Sequence, residues 1–407
     1  MPVTLDDILA ARRRIEGAVA ITPCVRSIPL SDLCGCDVYC KLEYLQRTGS
    51  FKERGARNAL TLLRDRGVTG VIAASAGNHA LGLAYHGRQL GIDVTVVMPQ
   101  FAPLIKVASC KRLGARVIRH GNSFAEIFEH AQTLVKSEGL TYVHGYDDPA
   151  VIAGQGTAGL EILEQVPAAN AIIVPVGGGG LIAGVGLAVK TLRPTVQVYG
   201  VEPAASPGYA AALKAGHPVP VTSQATLADG LAVGRVGDNA FALARQHVDR
   251  TVLVDEKLLA LAILRLLELE KAVVEGAGAS TLAALLSGQL PELRGRTVVL
   301  LLAGGNIDPA VLAHVIEKGL AADGRLLRFS ATISDRPGGL AAFAAAVAAA
   351  GASIQQVQHD RTFCGADVTR VDVTCTVETE DADHATRLIE HLKTSGAAVS
   401  VRTDVEK

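Results

Sequence analysis

Tryptophan is absent from the 407-residue chain, methionine occurs twice, and aromatic residues make up only 4 %. The core therefore cannot be organised around large rings. With 49 % hydrophobic residues and 42 glycines it must be built from Ala, Val, Leu and Ile and from close backbone approach. An excess of either charge is also missing, with 39 Lys+Arg against 40 Asp+Glu and a net charge of -1. Such a chain has no field of one sign with which to track a nucleic-acid backbone or an anionic membrane surface. No apolar run reaches the roughly 18 residues of a membrane span. The opening stretch MPVTLDDILAARRRI carries acids and no signal-like apolar core, so a soluble, cytoplasmic protein is expected. The cysteines, Cys24, Cys34, Cys36, Cys40, Cys110, Cys364 and Cys375, include no CxxC pair. Cys34, Cys36 and Cys40 lack a second ligand pair to complete a tetrahedron, and incidental thiols without a metal are the expectation.

What is present is alternation. An amphipathic helix at LDDILAARRRIEGAV, with Arg12, Arg13 and Arg14 on a solvated face, is followed by the strand DVYCKLEYL and the turn QRTGS. The helix FKERGARNALTLLRDRG follows, with Ser50 available as its cap. Strands VTGVIAAS, DVTVVMP and ARVIRHG then alternate with helices NHALGLAYHGRQLG, PLIKVASCKRLG and SFAEIFEHAQTLVKSEG. After HGYDDPAVIAGQGTAGLEILEQ the same rhythm gives AIIVPVG, LIAGVGLAVKTL and VQVYGVEP, a long apolar segment from Leu258 to Val274, TVVLLLAGGN, and a short helix near Asp308. Short connections between alternating strands and helices predict an α/β fold with a doubly wound parallel sheet. Residues 1–322 read as one two-lobed unit with a smaller lobe over about 47–147, and residues 326–407 read as β-α-β-β-α-β, the ferredoxin-like order, with a boundary near Asp323.

Gly177, Gly178, Gly179 and Gly180 follow a buried strand and open a helix, so free backbone N–H groups can approach a phosphate with no Cβ in the way. A dinucleotide fingerprint is the structural competitor, because Glu202 follows at about the distance of a ribose-binding acid. The glycine spacing fits G-x-G-x-x-G only in its relaxed form. Lys52 in SFKERGA opens a helix after a turn, where its amine can enter a cleft; an ordinary surface lysine is the alternative. SAGNHA, from Ser75 to Ala80, offers a hydroxyl, an amide and helix-terminal N–H groups to a carboxylate, with His79 either a ligand or a core histidine.

Taken together, SFKERGA, SAGNHA, GGGGLIAG, TLADG and LLAGGNID resemble the fold type II pyridoxal-phosphate enzymes, which are tryptophan synthase beta-like, and specifically the threonine/serine dehydratases. The likeness covers residues 1 to about 320. The remaining piece, with DRPGGL at its first strand-to-helix turn, resembles an ACT domain. The resemblance implies that Lys52 forms a Schiff base with pyridoxal phosphate and removes the Cα proton. It implies that Gly177 to Gly180 hold the phosphate, that Phe51 packs on the cofactor, and that Asn78 bonds its ring oxygen. Ser75, Ala76, Asn78 and His79 would form the substrate pocket with Gln155 as a wall, and Glu275 in VEGAGA would lie near the ring. Ala303 stands where many relatives have Ser or Cys against the pyridine nitrogen. A divalent-cation site would need Glu202 and a second acid, but that second position is Gly208, so no metal is expected. Ala76 stands where serine racemases carry a second serine, which favours elimination over racemisation. The implied activity is threonine ammonia-lyase, giving 2-oxobutanoate and ammonia, and pyruvate from L-serine. Alternatives are a dehydratase of another β-hydroxy amino acid (3-hydroxyaspartate or phenylserine type), a serine racemase-like enzyme, or a non-catalytic amino-acid-binding regulator. The family also implies a homodimer or homotetramer, and an amino-acid effector such as isoleucine, valine or serine at Asp335, Gly338 and Leu340.

Overall fold

The computed structural model describes residues 3–361 and 369–401, and Cys364 lies outside them. The chain divides into two compact units, residues 1–311 and 312–407. The division falls inside the helix Pro309–Ala322, earlier than Asp323 at that helix's far end. This helix has 14 residues and is not the short one expected near Asp308. Its run of Ala, Val, Leu and Ile contains no Gly or Pro between Pro309 and Gly319 to stop it.

Among its described residues the first unit contains ten strands, β1 (Cys24–Arg26), β2 (Asp37–Lys41), β3 (Gly70–Ala74), β4 (Asp93–Met98), β5 (Arg116–Arg119), β6 (Thr141–Tyr142), β7 (Ala171–Pro175), β8 (Gln197–Pro203), β9 (Arg250–Val254) and β10 (Thr297–Leu301). They form a large sheet in the order β1-β2-β10-β7-β8-β9 and a small one in the order β5-β4-β3-β6. Every pairing is parallel except β1 with β2. The central strands are apolar throughout because helices cover both faces; all five residues of β7 are buried. The sparse aromatics have the anticipated consequence. The helices Pro149–Gln165 and Gly180–Leu192 pack so closely that a Cβ on Gly184 would lie 2.4 Å from the Ile152 carbonyl oxygen. The apolar segment after Leu258 is largely a helix, Glu256–Glu270, capped by Asp255.

The order of the large sheet matters for the site. β10, last in the unit, lies between β2 and β7, which brings Ala303 and Gly304 to the chain entering Lys52. Phe51 N–H donates to the Ala303 carbonyl at 3.0 Å, and Ser50 bridges Gly304. This corrects the expected role of Ser50. Its hydroxyl is buried without a partner and does not cap the helix Lys52–Asp65, whose N-cap position is Phe51.

The second unit has β11 (Leu326–Ser334), β12 (Ser353–Asp360), β13 (Arg370–Glu378) and β14 (Ala398–Val401), with the helices Gly339–Ala349 and Ala382–Thr394 between them. The antiparallel order β12-β13-β11-β14 is that of a ferredoxin-like domain. Alternate residues Phe329, Ala331, Ile333, Val371, Val373 and Cys375 form its core.

Candidate active site

In open parallel sheets the carboxyl ends of the strands border the binding crevice. Here Ser75 follows β3, Pro99 and Phe101 follow β4, His144 follows β6, Gly177 follows β7 and Ala303 follows β10, and all of them line one cavity of about 580 Å³. The same wall includes Phe51, Lys52, Ala76, Asn78, His79, Gly178, Gly179, Gly180 and Glu275. Residues scattered over the unit's length are thus gathered at one place.

The ionisable pair is Lys52 and Glu275. The Lys52 amine donates to the Gly145 carbonyl at 2.6 Å. Burial holds its pKa down to about 8 against the opposing pull of Glu275. The Glu275 carboxyl is pushed up to about 7 by burial and then by Asp229, although Asn78 Nδ2 donates to it at 2.7 Å. Asn306 Nδ2 donates to Asn78 Oδ1 at 2.8 Å, so Asn306, Asn78 and Glu275 form a chain of hydrogen bonds along the wall. Gly304 has to be glycine there, since a Cβ would sit 2.3 Å from Glu275 Oε1.

The glycine run turns through Gly179, at φ 92, into the helix Gly180–Leu192. No acceptor for the N–H groups of Gly178, Gly179 and Gly180 is present among the described residues. A Cβ on Gly178 would lie 2.2 Å from the Tyr146 ring, so part of the glycine requirement is packing. The free donors fit a phosphate, and Lys52, its amine made easier to deprotonate by burial, fits an aldehyde carbon; this donor set suits pyridoxal phosphate.

Several expected roles are corrected. Gln155 is buried outside the cavity wall, and its Oε1 accepts from Gly55 N–H at 3.2 Å beneath the lysine helix. Glu202 accepts from the N–H groups of Tyr209 and Ala210 at 2.6 and 2.8 Å, capping the helix Gly208–Ala215. Both of its oxygens are thereby engaged with backbone, which is neither a ribose nor a cation ligand arrangement. His79 reaches the cavity but chiefly ties down a loop. Its Nε2–H donates to the Val143 carbonyl at 3.0 Å, and burial followed by the Lys52 charge holds its pKa down to about 3.

Other wall residues escaped the sequence reading: His144, Tyr146, Lys106 and Phe101, while Asp229 stands in the TLADG motif, which was given no role there. Lys106 and Asp229 approach within 3.2 Å, one from the small lobe and one from the TLADG loop. Asp147 accepts from the N–H groups of Asp238 and Ala240, joining the end of the small lobe to the helix Asp238–His247. For Phe101, His144 and Tyr146, a position just beyond a strand end was the available signal. Asp335, Gly338 and Leu340 belong to the second unit, where Asp335 accepts from Arg361 at 2.9 Å, Gly338 has φ 94 and Leu340 is exposed.

A profile of the family described as pyridoxal-phosphate dependent enzyme matches residues 15–304. The L-threonine ammonia-lyase of Thermotoga maritima is 42 % identical over 400 residues, covering 98 % of this chain and 99 % of that protein. Among solved structures, the processed form of threonine deaminase isoform 2 from Solanum lycopersicum is similar with a TM-score of 0.74 and 37 % identity, covering 77 % of this chain and 92 % of that one. Maize serine racemase is similar with a TM-score of 0.74 and 33 % identity, covering 79 % of this chain and 99 % of that one. Similarity sustained along almost the whole chain, on a cavity already suited to an aldehyde and a phosphate, has one consequence: the chain belongs to the pyridoxal-phosphate-dependent enzymes, within the threonine ammonia-lyase group.

Proposed function

We propose that this enzyme converts L-threonine to 2-oxobutanoate and ammonia, and L-serine to pyruvate. The observation that carries the reading is a lysine in the cavity with no carboxylate against its amine, its pKa drawn down to about 8. Pyridoxal phosphate, when bound, supplies an electron sink for the pair left behind as the Cα proton departs. Lys52 holds the cofactor and, as a neutral amine, takes that proton. Gly178, Gly179 and Gly180 hold the phosphate through backbone N–H groups, and Phe51 packs beside the lysine. Ser75 and the N–H groups opening the helix Asn78–Leu90 hold the substrate carboxylate, with the positive end of the helix dipole behind them. Asn78 and Glu275 orient the ring side of the cavity. Ala303 offers the ring an apolar wall. At Ala76 no acid faces the carbon from the opposite side, which favours loss of the β-hydroxyl over return of a proton with inverted configuration.

The test is a panel of β-hydroxy amino acids given to the cofactor-loaded enzyme, with oxo acid and ammonia quantified. Threonine is expected to show the highest kcat/KM, followed by serine, with no D-amino acid formed. A preference for 3-hydroxyaspartate or a phenylserine would overturn the substrate assignment, and accumulation of D-serine would overturn the role of Ala76.

The ferredoxin-like unit is read as an ACT-type regulatory domain whose DRPGGL turn takes a free amino acid at Asp335, Gly338 and Leu340. Titrating isoleucine, valine and serine against wild type and Asp335→Ala checks this: an effect on rate lost in the variant supports it, and identical responses refute it. Homodimer or homotetramer formation is read from the family likeness, and light scattering of the full chain measures it.

A further inference from the structure

His144 follows β6 and lines the cavity near Lys52, and nothing so far gives it a role. Its Nδ1 accepts two backbone hydrogen bonds, from Tyr146 N–H at 3.3 Å and from Asp147 N–H at 3.0 Å. A nitrogen that accepts carries no proton, so the proton of the neutral ring is on Nε2. No hydrogen-bond partner for Nε2 is present among the described residues. Burial, and to a lesser degree the Lys52 charge, keep the ring's pKa below the ordinary histidine value.

The ring is also held in place. The Tyr146 ring stands edge-on to it at 4.5 Å, and Tyr142 is edge-on at 6.1 Å. On one side Val143 is tied to His79; on the other, Gly145 accepts from Lys52, and Asp147 caps the helix Asp238–His247. A neutral ring with a free Nε2–H, held in place, is therefore part of the cavity wall that also carries Lys52. Several other polar side chains on this wall have partners: Lys106 has Asp229, Asn78 has Glu275 and Asn306, and the Tyr146 hydroxyl donates to the Arg235 carbonyl, while Ser75, whose hydroxyl accepts from Gly77 N–H, is assigned above to the substrate carboxylate. The N–H groups opening the helix Asn78–Leu90 meet the substrate carboxylate, which leaves the β-hydroxyl as the substrate oxygen without a donor.

We propose that His144 is a specificity-determining residue whose Nε2–H donates a hydrogen bond to the β-hydroxyl of the amino-acid substrate. The inference rests on the threonine ammonia-lyase reading above. A donor there selects hydroxy amino acids over isosteres lacking the oxygen, because an unanswered buried donor disfavours the wrong ligand.

The test uses cofactor-loaded wild type, His144→Phe, which keeps a ring, and His144→Gln, which restores an N–H donor. Steady-state kinetics are measured with L-threonine, and binding of L-2-aminobutyrate, which lacks the hydroxyl, is read from the cofactor absorbance. His144→Phe is expected to lower kcat/KM for threonine by about 10- to 100-fold. It should change 2-aminobutyrate affinity less than about twofold, with His144→Gln recovering part of the loss. Equal weakening of both ligands, or undiminished threonine turnover in His144→Phe, would overturn the proposal. Wild type inert toward threonine and serine would instead overturn the functional reading, before any variant is compared.

Discussion

Lys52 and Arg54 are two residues apart on one helix, Lys52 half-buried on the cavity wall and Arg54 fully buried, yet they carry opposite electrostatic fates. Arg54 is enclosed by carboxylates: its guanidinium donates to both oxygens of Glu43 at 2.8 and 2.7 Å and to both oxygens of Glu161 at 2.6 and 2.7 Å. Lys41 joins the same cluster through Glu161 at 2.5 Å. With these partners the Arg54 charge is held permanently and its pKa is driven upward despite burial. Lys52 donates to a carbonyl and lies over the Phe51 ring, and burial, outweighing the pull of Glu275, lowers its pKa to about 8. The comparison separates a charge used to build from one kept ready to react: saturation with hydrogen-bonding partners fixes the first, and their scarcity frees the second.

The largest effects should come from erasing either member. Lys52→Ala is expected to lower kcat by about 10³-fold or more with little loss of stability, together with loss of the yellow absorbance of the lysine-bound cofactor. Activity and thermal melting measured on one preparation check both halves. Arg54→Met strips buried Glu43 of its guanidinium and leaves Glu161 with Lys41 as its remaining cation, which costs about 3–5 kcal/mol of stability in denaturant titration. If Arg54→Met melted like wild type while Lys52→Ala unfolded, the division of labour would be reversed.

A smaller effect concerns pH. In the cofactor-free protein Lys52 has a folded pKa of about 8, below the ordinary lysine value of 10.5. Between these values the unfolded chain binds more protons than the folded one, so the Lys52 contribution makes stability rise with pH. Below pH 8 the full penalty of a buried cation remains. Lys52→Met should therefore gain stability over wild type near pH 7, and the gain should shrink as pH rises from 8 to 10.5. A pH-independent difference between the two would contradict the assigned burial effect. The smallest effect is expected at the rim: Asp229→Asn removes the partner of Lys106 and one of the groups raising Glu275. Since Asp229 is exposed, a change of only about two- to fivefold in KM is expected, measurable by steady-state kinetics at low salt.

The alternation of strands and helices was readable because period-2 and period-3.6 patterns are local properties of the chain. The motif loops were readable for a related reason: glycine runs and strand-to-helix turns put chemistry at predictable places. Assignments failed where a residue's partner is remote. Ser50 has the composition of a cap, but β10 takes the backbone of Ser50 and Phe51 into a cross-chain pairing instead. Gln155 lies in a motif that invites a pocket role, but the close approach of two helices turns it toward Gly55. His144 escaped notice because a lone histidine beside a glycine gives no signal until β6 is placed beside β3 at the edge of the small sheet.

By itself the sequence determined the α/β layering, the ferredoxin-like order of the last strands and the residue types gathered for chemistry, because these follow from local periodicity and turn chemistry. Only the tertiary structure decided which charges are structural and which reactive. Lys52 and Arg54 look equivalent as letters. Their difference arises when Glu161 reaches one across 107 positions with both carboxylate oxygens while the other donates to the carbonyl of Gly145, and burial then acts on each according to the partners it has been given.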